Sequence, residues 1–302
     1  MDGDPISRSE NIRYFKVADM TIRVESDLPI TDNTFHPKLN PFRIEDSGQA
    51  DLSIKHHFSL PDFNSRDLGK EFYRKPPWAI FKKNGSWIYL GISPDGSNNN
   101  PHKYITFNRE HTRADIYHPD SRFFREGNLS SLTILPTDQI LLARVLADKN
   151  GFYLHSAGAI LNGKGLLFVG HSDAGKSTIT EMLQDRAEIL CDDRNIVRKM
   201  SGKFMAYGTW SHGDIPLISP ASAPLHAVFF LHQSDKNQIG RIQERKVILG
   251  RLLACLIKPF VTADWWNKTL DVMESVTGEI PCYDLEFDRS GGIVNKLMDM
   301  TR

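Results

Sequence analysis

Gly165-Leu166-Leu167-Phe168-Val169-Gly170-His171-Ser172-Asp173-Ala174-Gly175-Lys176-Ser177-Thr178 is the stretch that decides the fold. From Gly170 to Ser177 it satisfies G-x-x-x-x-G-K-[ST] at each specified position. The apolar run 165–169 reads as a short buried strand. Downstream, Ile179, Met182 and Leu183 recur on one helical face. In a strand–loop–helix context the loop N–H groups converge on a polyphosphate, and the helix N-terminus adds partial positive charge. Gly170, His171, Ser172, Asp173, Ala174, Gly175, Lys176, Ser177 and Thr178 are therefore the expected nucleotide-binding set. Lys176 is expected at the terminal phosphates and the Ser177 hydroxyl on a Mg²⁺ ion.

The 302 residues allow one large or two ordinary domains. With 40% hydrophobic and 25% charged residues the composition is that of a globular chain. Lys plus Arg and Asp plus Glu are equal at 37 each. No global field draws the chain to nucleic acid or an anionic membrane. Cys191, Cys255 and Cys282 are odd in number and far apart, which suits a reducing cytoplasm rather than a disulfide framework or a zinc site. The polar start Met1-Asp2-Gly3-Asp4-Pro5 is unlike a secretion signal. No apolar run approaches the roughly 20 residues that span a bilayer. A cytoplasmic protein with no membrane and no nucleic-acid partner is expected.

Ahead of the loop, residues 1–10 read as a tail and 11–134 as a mostly antiparallel β domain, an accessory or substrate-recognition unit. Residues 12–17 and 20–24 alternate around the two-residue turn Ala18-Asp19, and 78–82 and 87–92 flank Asn84-Gly85. Further strands are expected at 52–58, 103–107 and 113–117. His36, His56, His57, His102, His111 and His118 lack ligand spacing and are expected on polar strand faces and in loops. Trp78, Trp87, Tyr89, Tyr104 and Phe107 are more simply core than a base-stacking face.

A catalytic, ATP-binding domain is expected over 135–302. Thr137 reads as the N-cap of a helix ended by Asn150-Gly151. Residues 152–161 read as a strand, and 162–165 as a hairpin turn into the strand that feeds the loop. Residues 188–191 form a strand ending at Asp192-Asp193. Carboxylates at a strand's carboxyl end face the crevice where ligands sit. One can hold Mg²⁺ and the other can accept a proton from an attacking hydroxyl. His155 precedes the loop and is brought back beside it by the hairpin, where it could orient an Asp or bind phosphate oxygens. In residues 208–214, Thr209, His212 and Asp214 are candidate metal or substrate contacts, with a plain surface loop as the alternative. Strands are expected at 195–200, 203–207, 227–231 and 281–287, and helices at 246–258, 263–276 and 292–300.

His155, the loop Gly170 to Ser177, and Cys191-Asp192-Asp193-Arg194 resemble, in order and spacing over roughly 150–200, the catalytic domain of bacterial HPr kinase/phosphorylase. There the corresponding features are a His on the preceding strand, a GxSGxGKS-like loop and an A-D-D-R segment. The resemblance implies an α/β (α+β) fold of the PEP carboxykinase/HPr kinase type. It also implies phosphoryl transfer from ATP, and sometimes pyrophosphate, to a serine of a protein or peptide. By that resemblance Lys176 and Ser177 bind phosphate and Mg²⁺, Asp192 is the second metal contact, Asp193 is the base and His155 supports it. The family's E-[IV]-R-G segment has no counterpart here. Residues 208–214 occupy its region, as in shorter related kinases that tailor peptides. Alternatives are a PEP carboxykinase-like enzyme of small molecules and a nucleotide-gated binding protein without turnover. A homo-oligomer is left open.

Overall fold

The computed structural model describes residues 10–46, 48–62, 68–97, 101–133, 138–260 and 262–302. The chain divides into two compact units, Met1–Asp138 and Gln139–Arg302.

The first unit is built on a nine-stranded sheet. Its strands are β1 (Ile12–Val17), β2 (Met20–Ser26), β3 (Arg43–Ile44), β4 (Leu52–His57), β5 (Lys70–Lys75), β6 (Trp78–Lys83), β7 (Ser86–Gly91), β8 (Lys103–Phe107) and β9 (Arg113–Tyr117), followed by the short helix α1 (Arg122–Glu126). The order is β3-β1-β2-β4-β9-β8-β7-β6-β5. Ala18 and Asp19 (φ 49° and 57°), and Asn84 and Gly85 (φ 51° and 85°), make the left-handed two-residue turns that match the twist of a hairpin. The sheet is mixed, because β4 lies parallel to both β2 and β9 while the other pairs are antiparallel. A chain that leaves the β1–β2 hairpin and returns alongside β2 cannot do so through a tight turn, and local alternation does not report such a return.

Trp87, Tyr89 and Phe107 are buried, as core residues should be. Three histidines depart from the expected polar faces. His56, His111 and His118 are buried in this unit. His56 lies with Nδ1 3.1 Å from His118 Nε2 and Nε2 2.9 Å from the Leu132 carbonyl. A carbonyl only accepts, so His56 Nε2 carries the proton and its Nδ1 accepts from His118. An imidazole can satisfy two partners while neutral, which is how it enters a core.

The second unit contains α2 (Asp138–Asp148, whose first residue is the last of the first unit), β10 (Gly151–Leu161), β11 (Lys164–Val169), α3 (Lys176–Leu183), β12 (Glu188–Cys191), β13 (Arg194–Met200), β14 (Lys203–Tyr207), β15 (Ser222–Gln233), β16 (Gln238–Arg241), α4 (Arg245–Ala254), α5 (Ala263–Glu279), β17 (Cys282–Phe287) and α6 (Gly292–Thr301). The expected cap Thr137 lies outside the described residues. Within the first unit, the Asp138 carboxylate accepts the backbone N–H groups of Leu132 and Thr133.

β10 and β15 are long enough to belong to two sheet segments. Their first halves join β13 and β14, and their second halves flank β11. The second segment runs β12-β10-β11-β15-β17-β16. β11, β12, β15 and β17 all point the same way, so their carboxyl ends share one edge. The alternation along β15 sends Ala227, Phe229 and Leu231 to the α3/α6 side with Ile179, Leu183, Ile293 and Leu297. Val228 and Phe230 go to the α4/α5 side with Ile248, Leu252, Trp265 and Met273. Burial on both faces is why 227–231 reads as a continuous apolar run.

The mixed α/β class agrees with the sequence, and several bounds are corrected. The β10–β11 turn is only Asn162-Gly163 (φ 52° and 74°), so Lys164 and Gly165 already pair. α4 stops at Ala254 instead of 258, because Ile257 N–H is taken by the Tyr153 carbonyl and Leu256 bridges Leu154. α5 continues three residues past Val276, to Glu279. β3, β5, β16 and α1 carry no sequence pattern that the reading above detected.

Candidate functional site

The phosphate-type loop connects β11 to α3. Gly175 adopts φ 100°, and a Cβ there would stand 2.7 Å from Phe287 Cζ. A Cβ on Gly170 would stand 2.5 Å from Ala174 Cβ. Both glycines are thus required by geometry. Lys176 folds over the loop, its Nζ donating to the carbonyls of Gly170 (3.1 Å) and His171 (2.7 Å). Burial lowers its pKa, against the pull of Asp193 and Asp192. Gln233, at the end of β15, donates to the Asp173 carbonyl (2.6 Å) and ties the loop to the neighbouring strand.

The aspartate pair follows β12. Asp192 is 2% exposed. Its Oδ1 accepts Gly213 N–H (2.6 Å), and its Oδ2 accepts Ile215 N–H (3.0 Å) and the Ser177 hydroxyl (3.3 Å). Asp193 has a different environment. Its Oδ1 is 3.0 Å from His155 Nε2 and its Oδ2 is 2.8 Å from Arg194 Nη1. Burial would raise the Asp193 pKa, but the His155 hydrogen bond and the Arg194, His155 and Lys176 charges outweigh it and hold it below the usual carboxylate value. The backbone sets this meeting. His155 is the register partner of Arg194, and Ser156 N–H donates to the Asp193 carbonyl (3.0 Å).

His155, Ser172, Asp173, Gly175, Lys176, Ser177, Thr178, Asp192 and Asp193 line one polar cleft of about 390 Å³. The structure therefore brings the sequence-derived residues together. Gly170, His171 and Ala174 form the loop backbone behind them. The candidates in 208–214 separate. Thr209 is buried beneath the cleft, donating to the Arg194 carbonyl (2.6 Å), so it supports and does not contact. His212 Nδ1 faces its neighbour's carbonyl, Gly213 O (3.0 Å). Asp214 joins the cleft, its Oδ2 3.2 Å from the Ser177 hydroxyl. Gly213, Gln233 and Arg289 also line it and were not anticipated. Isolated Gln and Arg residues at strand ends carry no local pattern.

Ser177, Asp192 and Asp214 present an all-oxygen donor set, the chemistry that suits a hard cation such as Mg²⁺. Among the described residues no group of three His, Cys, Asp or Glu side chains is placed to hold a metal. A larger concavity of about 1010 Å³ lies along β1 and β3 in the first unit. Its Arg43 is paired with Asp32 (2.8 Å) and its Arg13 bonds the Ile12 and Ile30 carbonyls, so it offers no reactive pair. Among the described residues no helix is long and apolar enough to cross a membrane.

The second unit is a mixed α/β unit in which a loop matching the G-x-x-x-x-G-K-[ST] pattern leads from a strand into a helix beside two carboxylates. The family described as SynChlorMet cassette protein ScmC matches residues 130–297, more than half of the chain, and the chain belongs to that family. No curated protein matches it. Among solved structures, the Hpr(Ser) kinase/phosphatase from Coxiella burnetii is similar at 9% identity and a TM-score of 0.32, over 50% of this chain and 88% of that one.

Proposed function

We propose that this protein is an ATP-dependent kinase that transfers the γ-phosphate to a serine hydroxyl of a protein or peptide. The observation that carries the reading is Asp193, whose two oxygens are held by His155 and Arg194 at the mouth of a cleft that also contains the loop and Lys176. The loop N–H groups and Lys176 hold the β- and γ-phosphates. Ser177, Asp192 and Asp214 would hold Mg²⁺, which would supply charge neutralisation on the phosphates.

Asp193 accepts the proton of the serine hydroxyl as the new O–P bond forms and the bond from γ-phosphorus to the β,γ-bridging oxygen breaks, releasing ADP. With its pKa held low, Asp193 is ionised at neutral pH and ready to accept. As a weak base it takes the proton late, which fits a loose transition state whose nucleophile needs little activation. His155 and Arg194 fix the carboxylate, and Lys176 places its charge beside the transferred group.

The test is incubation with Mg·ATP and the other products encoded in the family's cassette, read by intact mass. A gain of one phosphate on a serine, lost in Asp193→Asn with ATP binding retained, supports the proposal. ATP binding without transfer to any acceptor, and without ADP release, favours a nucleotide-gated binding protein.

A further inference from the structure

The cleft has two flanks, set by the strand order β12-β10-β11-β15-β17 around the loop at the end of β11. On the β12/β10 flank stand Asp192, Asp193 and His155, the groups assigned to the reacting end of the nucleotide. On the β15/β17 flank stand Gln233 and Arg289. A polyphosphate laid across the loop with its γ end at Asp193 directs its other end towards β15 and β17.

Arg289 sits on the turn between β17 and α6, and that turn is built to hold still. Asp288 Oδ1 accepts Asn237 Nδ2 (2.9 Å) and Ser290 N–H (2.8 Å). Gly291 takes φ 79°. The preceding Phe287 ring is buried directly against Gly175 of the loop. Arg289 thus follows by two residues the ring that packs on the loop, and it is exposed and lines the cleft with Ser172, Asp173 and Gly175. Among the described residues it has no carboxylate partner. Lys176 and Arg289 are the cleft's Lys and Arg, and Lys176 is already spanned across the loop carbonyls.

We propose that Arg289 clasps the α-phosphate of the bound nucleotide, so that a nucleoside di- or triphosphate is held at a point that inorganic pyrophosphate does not reach. This rests on the reading that the loop binds a polyphosphate. A guanidinium makes charge-assisted, two-pronged bonds to phosphate oxygens, which a lysine ammonium does not reproduce. Arg289 therefore separates nucleotide from pyrophosphate as the ligand of this site.

The experiment is calorimetric binding of Mg·ATP, Mg·ADP and Mg·pyrophosphate to the full chain and to Arg289→Ala and Arg289→Lys, each first shown to unfold at the wild-type temperature. The expected result is roughly ten- to hundred-fold weaker ATP and ADP binding in Arg289→Ala. Pyrophosphate binding should change by less than about two-fold, since no contact to it is assigned to Arg289. Arg289→Lys should recover only part of the nucleotide affinity. Unchanged ATP affinity in Arg289→Ala overturns the proposal. So does an equal loss for pyrophosphate, which would place Arg289 at the β/γ end. A wild-type chain that binds none of the three overturns the loop reading itself and is distinguished by that.

Discussion

His155 Nε2 stands 3.0 Å from Asp193 Oδ1 across two strands that pair residue for residue, His155 opposite Arg194. The contact joins residues 38 apart in the chain and depends on the β10–β13 register. With Oδ2 occupied by Arg194, it gives Asp193 a fixed orientation and a lowered pKa.

That geometry predicts a graded response in transfer. Asp193→Asn keeps the shape and removes the base, so turnover should fall by about 10²–10⁴-fold while ATP affinity stays near wild type. His155→Gln removes only the positioning contact and should cost less, on the order of ten-fold, because Arg194 still holds Oδ2. Steady-state kinetics with matched nucleotide-binding assays check both. Equal losses in the two variants would mean that His155 acts on the phosphates directly.

Gly175 is predicted to be irreplaceable. Gly175→Ala places a Cβ 2.7 Å from Phe287 Cζ at φ 100°. The expected cost is about 1–3 kcal/mol of stability, with loss of phosphate binding as the loop shifts. Urea unfolding and ATP titration measure the two effects. A variant as stable and as tight-binding as wild type would show that the loop can move away from β17.

Asp192 and Asp214 should differ in what they support. Asp192 accepts two backbone N–H groups from the 213–215 segment, whereas among the described residues the Asp214 carboxylate bonds the Ser177 hydroxyl alone. Asp214→Asn should weaken Mg²⁺-dependent nucleotide binding by about ten-fold and leave stability within about 0.5 kcal/mol. Asp192→Asn should lower both, since it weakens charge-assisted bonds that hold the segment. Mg²⁺ titrations of nucleotide binding, paired with thermal unfolding, separate them.

The first unit should lose stability as the solution is acidified from neutrality. Burial, chiefly, pushes the pKa of His56 down to about 4 and that of His118 down to about 3, with Lys103 and His57 adding repulsion and Asp27 opposing it at His56. In the unfolded chain both titrate near 6.5, so below that pH the unfolded state binds protons that the folded state refuses. Stability is full above pH 6.5 and falls as the pH drops from there down through about 4 for His56 and about 3 for His118. The slope is at most about 1.4 kcal/mol per pH unit for each imidazole. Denaturant midpoints at pH 7.5, 6 and 5, followed in the first unit, check this. A flat profile would mean that the pair takes up its protons without opening.

How much could be seen in advance varied with the range of the interaction. The loop, its strand and helix, and the β1–β2 and β6–β7 turns were legible because the pattern and the structure lie within the same few residues. Asn84-Gly85 announces its turn by residue type, and the alternation on either side of Ala18-Asp19 announces the other. The continuous run 227–231 announced a strand covered on both faces. The parallel placement of β4, the burial of His56 and His118, and the arrival of Gln233 and Arg289 at the cleft were not legible. Each depends on partners between about 30 and 120 residues away that no local periodicity encodes.

The sequence by itself determined that Gly170–Thr178 is a loop between a strand and a helix with the phosphate-loop pattern, because glycine at fixed positions and a Lys-Ser helix start are local requirements. Tertiary structure alone decided which partners each carboxylate meets. Asp192 and Asp193 are adjacent and chemically identical in the chain. In the bend between β12 and β13 one carboxylate meets Gly213 and Ser177 and the other His155 and Arg194, so their surroundings differ. The same holds for Asp214 and Arg289. Asp214, a candidate from the sequence, meets Ser177 because its neighbours Gly213 and Ile215 bond Asp192, and Arg289, unremarkable in sequence, lines the cleft because β17 ends at the same edge as β11.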